Sequence, residues 1–150
     1  MDADKKKKKS IIQISNSDDL CCARAIVTMR AYCHRDEGVN GLREWKNTRK
    51  GDVGGRNTLL LRAKELHNLS GVPEGPCGIP EKERFQKSLT PTYELMVICR
   101  SRPFNIVFRG SEAPNVIRLI KANEHYDGCT SFSGFLQPLL WRRQIGRAHV

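Results

Sequence analysis

Two adjacent cysteines, Cys21 and Cys22, stand where a run of periodically spaced apolar residues begins. Ser17, Asp18 and Asp19 precede them and are residue types that cap helix N-termini, where carboxylates complement the helix dipole. A cysteine here has two alternative roles. It packs as a small apolar side chain, or it acts as a nucleophile because the helix N-terminus stabilises a thiolate.

The six cysteines as a set do not have the spacing of a zinc site or of a disulfide framework. They lie at positions 21, 22, 33, 77, 99 and 129, and no C-x-x-C pair occurs. Cys33 and His34 are neighbouring ligand types, but adjacent residues chelate a tetrahedral ion poorly. We therefore expect reduced thiols and no structural zinc site.

The charge of the chain is concentrated at its start. Lys and Arg outnumber Asp and Glu by 26 to 16, a formal charge of +10. Five of these positive charges form one run, in which a nucleic-acid contact and a solubilising tail are both reasonable interpretations. The run consists of Lys5, Lys6, Lys7, Lys8 and Lys9. We expect residues 1–14 to be a basic, disordered tail that binds DNA if it binds a partner.

The remaining chain suits one domain. No apolar segment approaches the roughly 20 residues that span a bilayer, and no signal-peptide core is visible. These features predict an intracellular protein of the nucleus or cytoplasm, neither secreted nor bound to a membrane.

Apolar spacing predicts three helices. Residues at 22, 25, 26, 29 and 33 indicate a first helix that ends near His34. Residues 35–56 are rich in glycine and charge and are predicted to be a loop. A second helix covers about 57–70 and stops at Gly71. After a proline-rich turn, a third runs from about Pro80 to Leu89.

Three strands follow the helices. Residues 93–99 read as a strand buried on both faces, and 105–108 and 115–120 as the next two. Helices followed by a run of strands indicate an α+β domain. We expect N-terminal helices followed by a small sheet, within residues 15–136.

Three separated motifs resemble the ovarian-tumour (OTU) domain cysteine peptidases. Residues 18–26, D-D-L-C-C-A-R-A-I, resemble the family's D-G-N-C-L-F-R-A-I signature. The I-R-L-I strand at 117–120 is followed at 125–127 by H-Y-D, similar to the family's H-Y-D/N ending. Residues 77–99 look like the helix and strand between them. The likeness covers about 17–131.

The resemblance implies a catalytic site. Cys21 would be the nucleophile at a helix N-terminus, His125 its base, and Asp127 the group that orients the imidazole, as in other triads. Asp18 matches the acidic residue of the signature. The implied reaction is peptide or isopeptide hydrolysis, with ubiquitin or a ubiquitin-like protein as partner and with no metal or organic cofactor.

One departure from the family pattern concerns the residues before the nucleophile. The family has Gly-Asn there, where this chain has Asp19 and Leu20. A carboxylate beside a developing oxyanion opposes its formation. We therefore expect an OTU-like fold whose catalysis is degenerate, with an active deubiquitinase as the alternative.

A second resemblance extends along the chain from residue 20 to residue 136. The string G-V-P-E-G-P-C-G-I-P at 71–80, together with 20–29, is similar to the segment before the exonuclease region of protein-primed type B DNA polymerases of Maverick/Polinton elements. The exonuclease and palm carboxylates that hold metal ions in that family do not occur in these 150 residues. The chain is then a truncated N-terminal module that contacts DNA or a partner.

The C-terminal residues fit neither resemblance. Residues 137–150 depart from the polymerase pattern, and 145–150, I-G-R-A-H-V, look like a translated sequencing-library adapter. We expect the fold to exclude them.

Overall fold

The computed structural model describes residues 11–14, 19–50, 57–100 and 105–131. Its helices are α1 (Cys21–Cys33), α2 (Gly38–Arg49), α3 (Thr58–Ser70) and α4 (Ile79–Leu89). Its strands are β1 (Ile11–Ile12), β2 (Tyr93–Cys99), β3 (Asn105–Arg109), β4 (Asn115–Ala122) and β5 (His125–Cys129). The architecture is α+β, as predicted. Asp18, the lysines 5–9 and residues 137–150, including 145–150, lie outside the described residues.

The first helix is buried on nearly all sides. It packs against α2 and α3 and against β4 and β5, and its residues 21–29 are all buried. The predicted helix is confirmed, but its N-terminus differs from expectation. Leu20 occupies the N-cap position and makes no side-chain capping hydrogen bond. Cys21 is thus the first helical residue.

Helix α2 corrects the prediction that residues 35–56 form a loop. Trp45 and Thr48, one turn apart, are both buried in this helix. The Trp45 ring meets Tyr32 of α1 edge to face, with centroids 5.2 Å apart. Burial of one large aromatic surface outweighs the unfavourable glycine and charge content.

Helices α3 and α4 end and begin where the sequence predicts. Gly71 ends α3 in the left-handed conformation, with φ of +66°, which glycine adopts at little cost. Glu81 caps α4, since its Oε1 accepts the Gly78 N–H at 2.8 Å. The proline-rich segment between the two helices is therefore fixed at both ends.

The sheet has the order β1-β5-β4-β2-β3. Strands β2 and β4 are parallel, with Leu95 opposite Ile117, and the other pairs are antiparallel. Glu94 to Ile98 are all buried, as predicted for a strand covered on both faces. Leu95, Val97 and Leu119 share one core with the helices.

Strand β1 corrects the last part of the prediction that residues 1–14 are a disordered tail, while residues 1–10 lie outside the described residues. Ile11 pairs with Cys129 and Ile12 with Gly128 at the edge of the sheet, and Ile14 is buried. The apolar I-I-Q-I string after the lysines thus adds an edge strand to β5. Among the described helices, none is both long and apolar enough to cross a bilayer.

Candidate functional site

A cavity of about 530 Å³ opens where α1 and β5 both begin. The start of α1 contributes Cys21 and Cys22, the proline-rich segment contributes Cys77, and the β4–β5 turn and β5 contribute Glu124 and His125. Three thiols and one imidazole therefore border the same space. Thiol and imidazole groups are the ingredients of covalent acyl transfer and of thiol redox chemistry.

Cys21 is a buried thiol at the helix N-terminus. Its Sγ donates a hydrogen bond to the backbone carbonyl of Glu124 at 3.5 Å. Burial raises the pKa of this thiol, while the backbone amides of Tyr126, Cys22 and Cys21 itself act in the opposite direction. Desolvation outweighs the amides, so the resting side chain is the neutral thiol. The position at a helix N-terminus, considered alone, predicts the opposite, a lowered pKa for this thiol.

His125 and Asp127 form a bonded pair on β5. His125 Nε2 lies 2.9 Å from Asp127 Oδ1, and their side chains are 43% and 19% exposed. An ionised carboxylate only accepts hydrogen bonds, so Nε2 carries the proton of the neutral ring. Nδ1 is then the basic nitrogen, as a general base requires.

The pair is placed on the sheet by strand alternation and by β1. His125 and Asp127 are two residues apart on β5 and share the face opposite to that of Tyr126, which packs in the core with α1. Asp127 Oδ1 also accepts the Ile14 N–H at 2.8 Å. Nothing in the sequence pointed to this contact, because β1 has two residues and no alternation.

The structure brings together most of the predicted catalytic residues. Cys21 and His125 line one cavity, and Asp127 holds the ring of His125. The Cys21 thiol is bonded to Glu124 and not to the imidazole. Asp18 lies outside the described residues. Asp19, the departure from the family pattern, is exposed at the cavity.

Sequence reasoning missed the part played by Cys77. Its Sγ lies 3.2 Å from that of Cys22, across a separation of 55 residues. The hydrogen bond between the two thiols lowers the pKa of Cys77, and Lys82 and Lys121 add to this, while burial and Glu81 oppose it. The proline-rich string is an unusual motif in the sequence, but its pattern does not indicate a thiol pair.

Two buried donors hold the backbone at Cys77. Lys82 is only 2% exposed, and its Nζ donates to the Cys77 carbonyl at 3.1 Å. Tyr126 donates its hydroxyl to the same oxygen at 2.9 Å. A buried ammonium needs an acceptor to offset its desolvation, and this carbonyl supplies one. The position of Cys77 beside Cys22 is therefore fixed.

Within the described residues, no three side chains of His, Cys, Asp or Glu converge as a metal site. Comparisons of the chain with protein families, curated proteins and solved structures found no match. The chemistry of the site rests on its own residues.

Proposed function

We propose that residues 15–136 form an OTU-like cysteine-peptidase domain in which Cys21 is the nucleophile, His125 the general base and Asp127 the residue that orients it. One observation carries the proposal. Cys21, at the N-terminus of α1, shares a cavity with His125, whose Nε2 is held by Asp127. This is the order of nucleophile, base and orienting acid that a thiol hydrolase needs.

The reaction begins with transfer of the thiol proton. The Cys21 pKa is raised by burial, so the thiolate forms only when imidazolium develops beside it. His125 Nδ1 accepts that proton as Sγ attacks the carbonyl carbon, and a C–S bond forms. The imidazolium then protonates the leaving amine as the C–N bond breaks. Water, deprotonated by the same nitrogen, releases the acid and restores the thiol.

The geometry sets a condition for this chemistry. Proton transfer needs Sγ and the ring nitrogen about 3 Å apart, yet Sγ is bonded to the Glu124 carbonyl. His125 also stands at the first position of β5, on the face opposite to the α1 side. Substrate binding has to displace the Glu124 contact and bring Sγ to the Nδ1 atom of the ring that Asp127 holds.

The substrate class follows from the resemblance: peptide or isopeptide bonds of ubiquitin or a ubiquitin-like protein. Asp19 places a carboxylate near the oxyanion, so the activity is weak. The parent protein in this proposal is a transposon-encoded type B DNA polymerase, of which this chain is an N-terminal module.

A second candidate is a noncatalytic module that contacts DNA or a partner protein. It is favoured by the resting bond from Cys21 to Glu124 and by the neutral state of that thiol. In this case the lysines 5–9 supply the contacts with phosphate.

A ubiquitin carrying a C-terminal electrophile distinguishes the two candidates. The peptidase proposal expects slow covalent capture by the full chain, abolished by Cys21→Ser and slowed by His125→Ala. Cys33→Ser is the matched control, because this thiol lies at the other end of α1. Capture that survives Cys21→Ser, or no capture by any variant, rejects the peptidase.

A further inference from the structure

The thiols of Cys22 and Cys77 form a pair of their own in the wall of the cavity. Their Sγ atoms are 3.2 Å apart, and a disulfide bond is about 2.05 Å long. Closure therefore requires an approach of about 1.2 Å. The proposed peptidase reaction uses neither thiol.

The surroundings of the pair favour reaction at Cys77 first. Cys77 is half-buried and lines the cavity, whereas Cys22 is only 3% exposed. The hydrogen bond between the two thiols and the charge of Lys82 lower the pKa of Cys77, while burial raises that of Cys22. The accessible sulfur is thus also the one with more thiolate.

We propose that Cys77 is an oxidation site for hydroperoxides, with Cys22 as its resolving thiol. The Cys77 thiolate attacks the outer peroxide oxygen, so that an S–O bond forms and the O–O bond breaks. The alkoxide leaves and takes up a proton. Cys22, after losing its proton, attacks the sulfenic sulfur, and hydroxide leaves to become water. Two thiols lose two electrons, and the peroxide becomes an alcohol and water.

Cys22 is the resolving partner because of position. It is in contact with Cys77, while the Cys21 thiol is bonded to Glu124. The donors Lys82 and Tyr126 hold the Cys77 backbone in place. The disulfide joins the proline-rich segment to α1 beside Cys21. This inference does not depend on Cys21 being catalytic.

Peptide mapping tests the proposal on the full chain. The reduced protein is treated with hydrogen peroxide, its free thiols are blocked, and it is digested with trypsin. Cleavage after Lys or Arg gives peptide 10–24, with Cys21 and Cys22, and peptide 65–82, with Cys77. We expect these two to appear as one cross-linked species and two of the six thiols to be lost.

Single variants assign the bond. Cys77→Ser and Cys22→Ala should abolish the cross-linked species, and Cys21→Ser and Cys99→Ser should retain it. Circular dichroism confirms that each variant is folded, and Cys77→Ser, which changes the less buried partner, stays informative if Cys22→Ala unfolds. A cross-link that persists without Cys22 or without Cys77 overturns the proposal. The proposal is also overturned if Cys77 accumulates as the sulfinic acid. It is overturned as well if Cys77 stays reduced while glutathione in the same tube is oxidised.

Discussion

Asp127 Oδ1 accepts two hydrogen bonds, from Nε2 of His125 at 2.9 Å and from the backbone N–H of Ile14 at 2.8 Å. The segment that follows the edge strand β1 and the imidazole are therefore joined through one carboxylate oxygen. A residue that orients the ring also fastens the start of the domain to β5.

Replacing Asp127 should lower stability as well as alter His125. Asp127→Ala removes the acceptor of the Ile14 N–H, and we expect a loss of about 1–3 kcal/mol in the free energy of unfolding. Asp127→Asn retains an oxygen acceptor and should lose less. Urea denaturation measures both. Equal losses in the free energy of unfolding for the two variants would mean that the hydrogen bond from the Ile14 N–H does not contribute to stability.

The packing of α1 on β5 depends on a glycine. A Cβ built on Gly128 would collide with the side chain of Met29. Gly128→Ala should therefore destabilise the domain by about 1–3 kcal/mol, the usual cost of overpacking.

A double-mutant cycle with Met29→Ala isolates this contact. In the Met29→Ala background the added methyl has room, so the cost of Gly128→Ala should fall by more than 1 kcal/mol, outside the additivity of independent sites of about 0.5 kcal/mol. Additive effects would mean that the destabilisation by Gly128→Ala comes from a contact other than that with Met29.

Elements with local signals were predictable from the sequence. Helix α1 has clear apolar periodicity, Gly71 marks the end of α3, and β2 contains a continuous apolar run at 95–99. Helix α2 was missed because its burial depends mainly on Trp45 and Thr48. Strand β1 was missed because two residues carry no period, and only pairing with β5 defines them.

The residues of the candidate site also divide into those with a signal in the sequence and those without one. The position of Cys21 at a helix N-terminus follows from the local pattern, and His125 and Asp127 from the family resemblance. The pair Cys22 and Cys77 depends on the path of the proline-rich segment between α3 and α4, which no local rule gives. The pKa of Cys21 depends on burial by distant elements, so its direction could not be read from the helix alone.

The lysine run should determine DNA retention. Five lysines that each neutralise a phosphate give a log–log salt slope no steeper than about −4.5 for duplex DNA. Deletion of residues 1–10 should therefore abolish most binding at low salt, which fluorescence anisotropy with a labelled duplex measures. The deletion ends before β1 and so spares the sheet. Undiminished binding by the shortened chain would locate the DNA contacts in the domain.

The thiols of the cavity should differ in their response to pH. Thiolates react with iodoacetamide, and Cys77 has the lowered pKa while those of Cys21 and Cys22 are raised. As pH rises from 6 to 9, Cys77 should be labelled first and Cys22 last. Mass spectrometry of the labelled peptides measures the order.

A variant of Cys22, the thiol in contact with Cys77, provides the control for this order of labelling. Cys22→Ala removes the hydrogen bond that lowers the Cys77 pKa most, so labelling of Cys77 should shift to higher pH. Lys82, Lys121 and Glu81 stay in place as the remaining charges. An unchanged profile would show that the thiol pair does not set the reactivity of Cys77.

Asp19 and Leu20 should limit any hydrolysis at Cys21. Asp19 lies at the cavity, and Leu20 occupies the N-cap position of α1, so both affect the backbone amides that would face an oxyanion. Restoring the family pattern with Asp19→Gly and Leu20→Asn removes the negative charge and loosens this backbone. We expect at least tenfold faster capture by the electrophilic ubiquitin, equivalent to about 1.4 kcal/mol of transition-state stabilisation. The same pair of substitutions combined with Cys21→Ser should remain inert. Leu20 is buried, so thermal unfolding of the double variant is measured first, and a folded variant with no gain in capture would identify the domain as a scaffold.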